Sequence, residues 1–155
     1  MKRNTAWIDN EIIYQIMIDR FNGKWTKYEN GNRFMGGTLK GVTDKLDYIK
    51  DMGITTVWLS PISCSTNYHG YHITDFLSID PHFGTMEDFD TLVDSVHKKG
   101  MKIIIDFVPN HCSVEHPYFK DAMGNKKSPG RSQGIFIEAI TAWDQPQPEP
   151  CPRRY

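Results

Sequence analysis

The sequence predicts an α/β fold built on a short parallel sheet, and three observations carry that prediction. Apolar runs over residues 12–18, 54–59 and 102–108 read as buried strands. Between them lie two segments whose apolar residues recur at three- and four-residue steps, the spacing of a helix with one apolar face. The chemically versatile polar residues, Asp19, Ser60, residues 69–75 and residues 106–111, all follow strand ends. Strand, helix, strand, helix, strand is the order that gives parallel pairing through right-handed crossovers. Functional sites gather on the edge where such strands end.

The first run, Ile12-Ile13-Tyr14-Gln15-Ile16-Met17-Ile18, is nearly uninterrupted and ends at Asp19, and a polar loop rich in Gly and Asn leads on to Gly37. Leu39, Val42, Leu46, Ile49 and Met52 then mark one face of a helix, with Thr38 placed to cap it and Gly53 to stop it. Residues 54–59 form the second strand, which Pro61 ends, and residues 62–84 read as a long loop. Thr85-Met86-Glu87-Asp88 resembles a capping box with Asp in the last place instead of Glu. Met86, Phe89, Val93 and Val96 are the stripe of the second helix, closed by Gly100. The third strand runs into Asp106-Phe107-Val108-Pro109-Asn110-His111, where an acid, an amide and an imidazole emerge together at the rim.

Composition narrows the classes of function. Eighteen Lys and Arg stand against nineteen Asp and Glu, so nothing in the charge favours nucleic acid or an anionic membrane as partner. No apolar run approaches the roughly 20 residues of a membrane span. Asn4, Thr5, Asp9, Asn10 and Glu11 break up any signal-peptide core after Lys2 and Arg3. Cys64, Cys112 and Cys151 are an odd number without paired spacing, which speaks against a disulfide framework and for a reducing compartment. A cytoplasmic location is the expectation.

Several motifs resemble those of the α-amylase family, glycoside hydrolase family 13. Ile13-Tyr14-Gln15-Ile16 with Asp19-Arg20-Phe21 resembles its first strand, and Gly36-Gly37-Thr38-Leu39-Lys40-Gly41-Val42 with Lys45-Leu46-Asp47-Tyr48-Ile49 its first helix. Trp58-Leu59-Ser60-Pro61 resembles the end of the second strand. Tyr68-His69-Gly70-Tyr71, Asp75-Phe76 and Phe83-Gly84-Thr85 resemble the loop into the second helix, and residues 106–111 the first conserved region. The likeness covers roughly residues 11–120, and the motifs stand in the family's order. It implies a β/α (TIM-type) barrel, of which only the first three strands are represented here. It implies retaining action on α-linked glucans, with His69, Tyr71 and His111 touching the sugar. Asp106 would hold the site together, and Asn110 would supply an oxygen to calcium.

On this reading residues 1–111 are the N-terminal part of the barrel, residues 112–129 open the loop or subdomain after the third strand, and residues 130–155 are a divergent, disordered tail. Retaining glycosidases need a nucleophile and an acid carboxylate roughly 5–5.5 Å apart. The acids after His111 are Glu115, Asp121, Glu138, Asp144 and Glu149, and none stands in the family's nucleophile pattern. The chain is therefore expected to stop before the catalytic carboxylates. A shift of the coding frame near residue 130 would explain both the lost pattern and the Pro-rich end, and the coding DNA would show it.

Each candidate residue also has a plainer role. Asp106 is expected to be a buried anchor satisfied by hydrogen bonds, Trp58 to be packing, and the two helical stripes to be core. A neutral imidazole at His111 both donates to and accepts from hydroxyls, and the face of Tyr71 suits the apolar face of a pyranose. Two other functions stay open: a non-catalytic glucan-binding fragment, and a metal-dependent hydrolase of another barrel family using His69, His72 and His111, with Asp75 near by. Three strands leave open sheet edges and one bare face, so self-association through those edges is expected.

Overall fold

The computed structural model describes residues 6–23 and 33–124. Strand β1 (Ile13–Ile16) runs into a single 3-10 turn, Ile18–Arg20, and is followed by helices α1 (Leu39–Thr43) and α2 (Leu46–Asp51). Strand β2 (Thr56–Leu59) leads into β3 (Ser63–Ser65) and β4 (Ile73–Ile79). Helix α3 (Met86–Lys98), strand β5 (Lys102–Ile105) and helix α4 (Pro117–Gly124) complete the described chain. β1, β2 and β5 form a parallel sheet with β2 in the centre. This is the predicted α/β architecture, and it matches the first part of a β/α barrel.

Parallel partners share a face, so the register sorts the side chains. Tyr14 pairs with Val57 and Val57 with Ile103, while Ile16 pairs with Leu59, and these residues pack toward the helices. Leu39, Val42, Leu46 and Ile49 cover them from α1 and α2, and Leu92 and Val96 from α3, with Ile62, Ile79 and Phe83 closing the core. Gln15, Trp58 and Ile104 share the opposite face with Ile13, Thr56 and Lys102. There Lys102 pairs with Glu11, and Thr56 donates to the same carboxylate at 2.5 Å.

Both expected caps form. Thr38 Oγ1 accepts from the Gly41 N–H at 3.0 Å. Thr85 and Asp88 exchange hydrogen bonds, 3.2 Å from the Asp88 N–H to Thr85 Oγ1 and 2.9 Å back from the Thr85 N–H to the carboxylate. Asp therefore performs the reciprocal half of the capping box that Glu or Gln usually performs.

The structure corrects several element boundaries. The first helix is two short helices. Thr43 Oγ1 bonds back to the Leu39 carbonyl at 3.1 Å, and Lys45 leaves the helical region, with φ −107° and ψ 6°. Hydroxyl back-bonding competes with the helix ladder and favours such a break. The apolar stripe survives the break through Ile49, but Met52 at its end is exposed. The apolar runs at β1 and β5 predict buried strands. Each is an edge strand among the described residues, and Ile13 and Ile105 are partly exposed. β5 also stops at Ile105 rather than residue 108, and residues 106–109 carry no strand pairing.

The long loop over residues 62–84 holds an antiparallel hairpin, β3 with β4. Its pairing is irregular: Ser63 faces Ile79, Cys64 faces Asp75 and Ser65 faces Ile73, with a register shift at each step. Such irregularity destroys the two-residue alternation by which a strand is recognised. Within residues 112–129, expected to open a loop or subdomain, residues 117–124 form helix α4. Pro117 suits the first position of that helix, where no amide donor is needed. The tail over residues 130–155 lies outside the described residues. Among the described residues no helix is long and apolar enough to cross a membrane.

Candidate functional site

Three segments meet at the C-terminal edge of the sheet. β2 contributes Trp58. The stretch after β5 contributes Asp106, whose backbone N–H still bonds to the Leu59 carbonyl at 3.0 Å. The loop between β3 and β4 contributes residues 67–72.

Asp106 is the junction. Its Oδ1 accepts the indole N–H of Trp58 at 2.8 Å, and its Oδ2 accepts the hydroxyl of Tyr71 at 2.5 Å. Asp106 was expected to anchor the site through a buried carboxylate, and the structure gives it these two hydrogen bonds. The carboxylate is half-buried rather than fully buried, because no further strand covers this edge among the described residues. The hydrogen bond to Asp106, helped by burial and by the negative charge, pushes the Tyr71 phenol up to about 12. Tyr71 therefore stays a hydroxyl donor across the physiological range.

His69 sits beside Tyr71, with ring centroids 5.9 Å apart and planes within 26°. Its Nδ1 accepts the backbone N–H of Tyr71 at 3.1 Å, which assigns the proton of the neutral ring to Nε2. Burial, reinforced by the neighbouring His72, holds the His69 imidazole below its ordinary value. His72 stands edge-on to both His69 (5.0 Å) and His111 (6.5 Å). On the other side of His69, Tyr68 lies edge-on at 5.3 Å, and the guanidinium of Arg20 rests 4.2 Å from the Tyr68 ring centre. Arg20 is itself paired with buried Asp19 at 2.9 Å. A line of rings thus runs from the first strand to the rim. A cation over an aromatic face adds about 0.5–1 kcal/mol at an exposed site.

The structure therefore brings His69, Tyr71 and Asp106 into direct contact and links His111 to them through His72. Tyr71 and His111 are exposed, which suits contact with a ligand. Sequence reasoning treated Trp58 as packing and missed its donor. The donor lies one strand away from its acceptor, and nothing local in the sequence signals it. It also left His72 as a ligand candidate, whereas His72 Nδ1 is engaged by the Asn67 amide at 2.5 Å. Asp75 is occupied by the Leu77 N–H at 2.9 Å and the Ser78 hydroxyl at 2.6 Å. Among the described residues no three His, Cys, Asp or Glu side chains are grouped to hold a metal ion. A zinc centre on His69, His72 and His111 thus finds no support in the geometry. Asn110 turns its amide nitrogen to His111 Nδ1 at 3.2 Å. Its carbonyl oxygen is a donor of the kind calcium takes, but one oxygen is far short of the 6–8 that calcium takes.

His116 is buried, and its Nδ1 accepts the Tyr118 N–H at 3.1 Å within the first turn of α4. Burial holds its imidazole below the ordinary value of 6.5, against the opposing charge of Asp75. His69 is lowered in the same direction. For a histidine whose folded value is depressed, the unfolded chain binds the proton more readily. The stability it contributes is complete above pH 6.5 and is lost as pH falls toward the folded value. Urea midpoints are expected to fall between pH 7.5 and pH 5. His116→Gln, which cannot charge, is expected to shrink that difference.

Comparison with known proteins accords with this geometry. The family profile described as the α-amylase catalytic domain matches residues 15–150. α-Amylase 2 of Dictyoglomus thermophilum is 49% identical over 133 residues, covering 84% of this chain and 24% of that protein. The crystal structure of an α-amylase from Geobacillus thermoleovorans with acarbose superposes with a TM-score of 0.68 at 51% identity, over 75% of this chain and 26% of the other. The cyclic α-maltosyl-(1→6)-maltose hydrolase of Arthrobacter globiformis, in complex with its cyclic saccharide, superposes at 0.70 with 31% identity, over 81% of this chain and 31% of that one. The chain spans about a quarter to a third of the length of these relatives. Motif order, parallel sheet and profile agree: the chain belongs to the α-amylase family of glycoside hydrolases.

Proposed function

We propose that this chain carries part of the sugar-contacting surface of an enzyme acting on α-linked glucans such as starch, maltodextrin or cyclodextrin. The carrying observation is the Trp58–Asp106–Tyr71 junction at the C-terminal edge of the sheet. It holds the exposed ring of Tyr71 by its hydroxyl, which donates to Asp106, with His69 beside it. In this reading Tyr71 packs on the apolar face of a pyranose, while His69 Nε2 and His111 exchange hydrogen bonds with its hydroxyls. Asp106 positions Tyr71 and does not react. Asn110 gives one oxygen to calcium. The odd number and unpaired spacing of Cys64, Cys112 and Cys151 favour a cytoplasmic setting.

Bond cleavage is a separate matter. The 155 residues contain no nucleophile motif of the family, and a retaining mechanism without nucleophile and acid loses both proton transfer and the covalent step. Expressed as these 155 residues, the chain is expected to bind maltoheptaose and to release no reducing sugar from starch. Calorimetry with maltoheptaose, beside a reducing-sugar assay on a preparation of verified mass, makes the test. Binding that survives unchanged in Tyr71→Ala would refute the assignment of the site, and hydrolysis by the verified chain would refute the reading of the catalytic groups as absent.

Among the described residues β1 and β5 each leave one edge unpaired, with Ile12 and Ile13 exposed beside the first. Unpaired edges of that kind template pairing with another chain. Light scattering after size exclusion is expected to show oligomers, and a sharp monomer peak with a cooperative melt would contradict this.

A further inference from the structure

Trp58 lies on β2, the central strand, where its main chain is held from both sides by β1 and β5. Tyr71 lies in the loop between β3 and β4 and is exposed. Asp106 joins them, one carboxylate oxygen to each. Two partners on two different oxygens fix both torsions of a short side chain, so the tyrosine hydroxyl meets an acceptor that does not swing. The neighbouring His69 does not hold the hydroxyl: its hydrogen bond goes to the backbone N–H of Tyr71, and its ring stacks beside the phenol ring at 5.9 Å.

We propose that Trp58 is a positioning residue: its indole N–H locks the rotamer of Asp106 and, through it, sets the pitch at which Tyr71 meets a sugar ring. This rests on the reading of Tyr71 as a sugar contact. It assigns Trp58 a task beyond filling space, namely passing the rigidity of the central strand to a loop side chain. Bulk alone would leave the Tyr71 hydroxyl with no fixed partner.

A double-mutant cycle separates the two roles, because residues acting through one another give non-additive effects. Trp58→Phe keeps an aromatic ring and removes the N–H. It is expected to weaken maltoheptaose binding about tenfold in the parent chain and less than about twofold in a Tyr71→Phe background. Equal losses in both backgrounds would overturn the proposal. A second measurement needs no change at Trp58. The indole N–H resonance of Trp58 is expected to shift, and to exchange faster with solvent, when Tyr71→Phe removes the other partner of Asp106. An indole resonance unmoved by that substitution would overturn the proposal even if Trp58→Phe fails to fold. Should the parent chain bind no glucan, the sugar reading falls, while the coupling between Trp58 and Tyr71 is still decided by the resonance.

Discussion

Gly37→Ala is expected to abolish the folded state of this chain. A Cβ at residue 37 would lie 1.9 Å from the Ile18 carbonyl oxygen and 2.7 Å from the carbonyl carbon and oxygen of Asp19. Those neighbours are backbone, so no rotamer change relieves the clash. The surroundings are also pinned. The Gly37 N–H donates to the Asp19 carbonyl at 3.0 Å, and the Asp19 carboxylate accepts from the Met35 N–H at 2.8 Å and the Gly36 N–H at 3.3 Å. Opening this crossing would pull Asp19 from its partners, while burial already pushes its carboxyl above the ordinary value. Overpacking of side chains typically costs about 1–3 kcal/mol. A backbone clash with no route of relief belongs in the tail above about 4 kcal/mol, a large share of the 5–15 kcal/mol that holds a typical domain together. Circular dichroism should show no cooperative melt for the variant under conditions where the parent melts. A melting temperature within a few degrees of the parent would show that the crossing is looser than described.

Asp106→Ala is expected to be the most damaging single change at the candidate site. It removes the acceptor of two donors at once, the Trp58 indole N–H and the Tyr71 hydroxyl. Leaving a buried donor unsatisfied costs about 1–3 kcal/mol. The indole is half-buried, so the lower end of that range is expected for stability. The larger effect falls on recognition. With Tyr71 unpinned, maltoheptaose binding should weaken about ten- to a hundredfold, roughly 1.4–2.8 kcal/mol. The same variant should return the Tyr71 phenol from about 12 toward its ordinary value of 10.0, because the charged acceptor is its first cause of elevation. Calorimetry reads the first effect. Carbon NMR of labelled tyrosine, assigned with Tyr71→Phe, reads the second. Unaltered affinity would detach Asp106 from sugar recognition.

The elements whose identity depends on local chemistry were legible in the sequence. Thr38 and the Thr85–Asp88 pair announce helix starts because a hydroxyl or carboxylate satisfies amides only three residues away. The three strands announce themselves as apolar runs. The hairpin of β3 and β4 did not, since its shifting register spaces the buried Ile73, Phe76 and Ile79 at threes instead of twos. The exposure of Ile13 and Ile105 was likewise invisible, because an apolar run does not say whether a neighbour strand covers it.

The sequence by itself determined the α/β order, the family and the group of side chains at the rim, because each rests on spacing within a few residues or on a contiguous motif. Only the tertiary structure decided who holds whom. Residues 58, 71 and 106 are remote in the chain, and a parallel sheet with a hairpin folded over its edge is what sets an indole, a phenol and a carboxylate within hydrogen-bonding distance. Hydrogen bonds reach about 3 Å, and contacts of that range between distant segments exist only once the backbone has been packed.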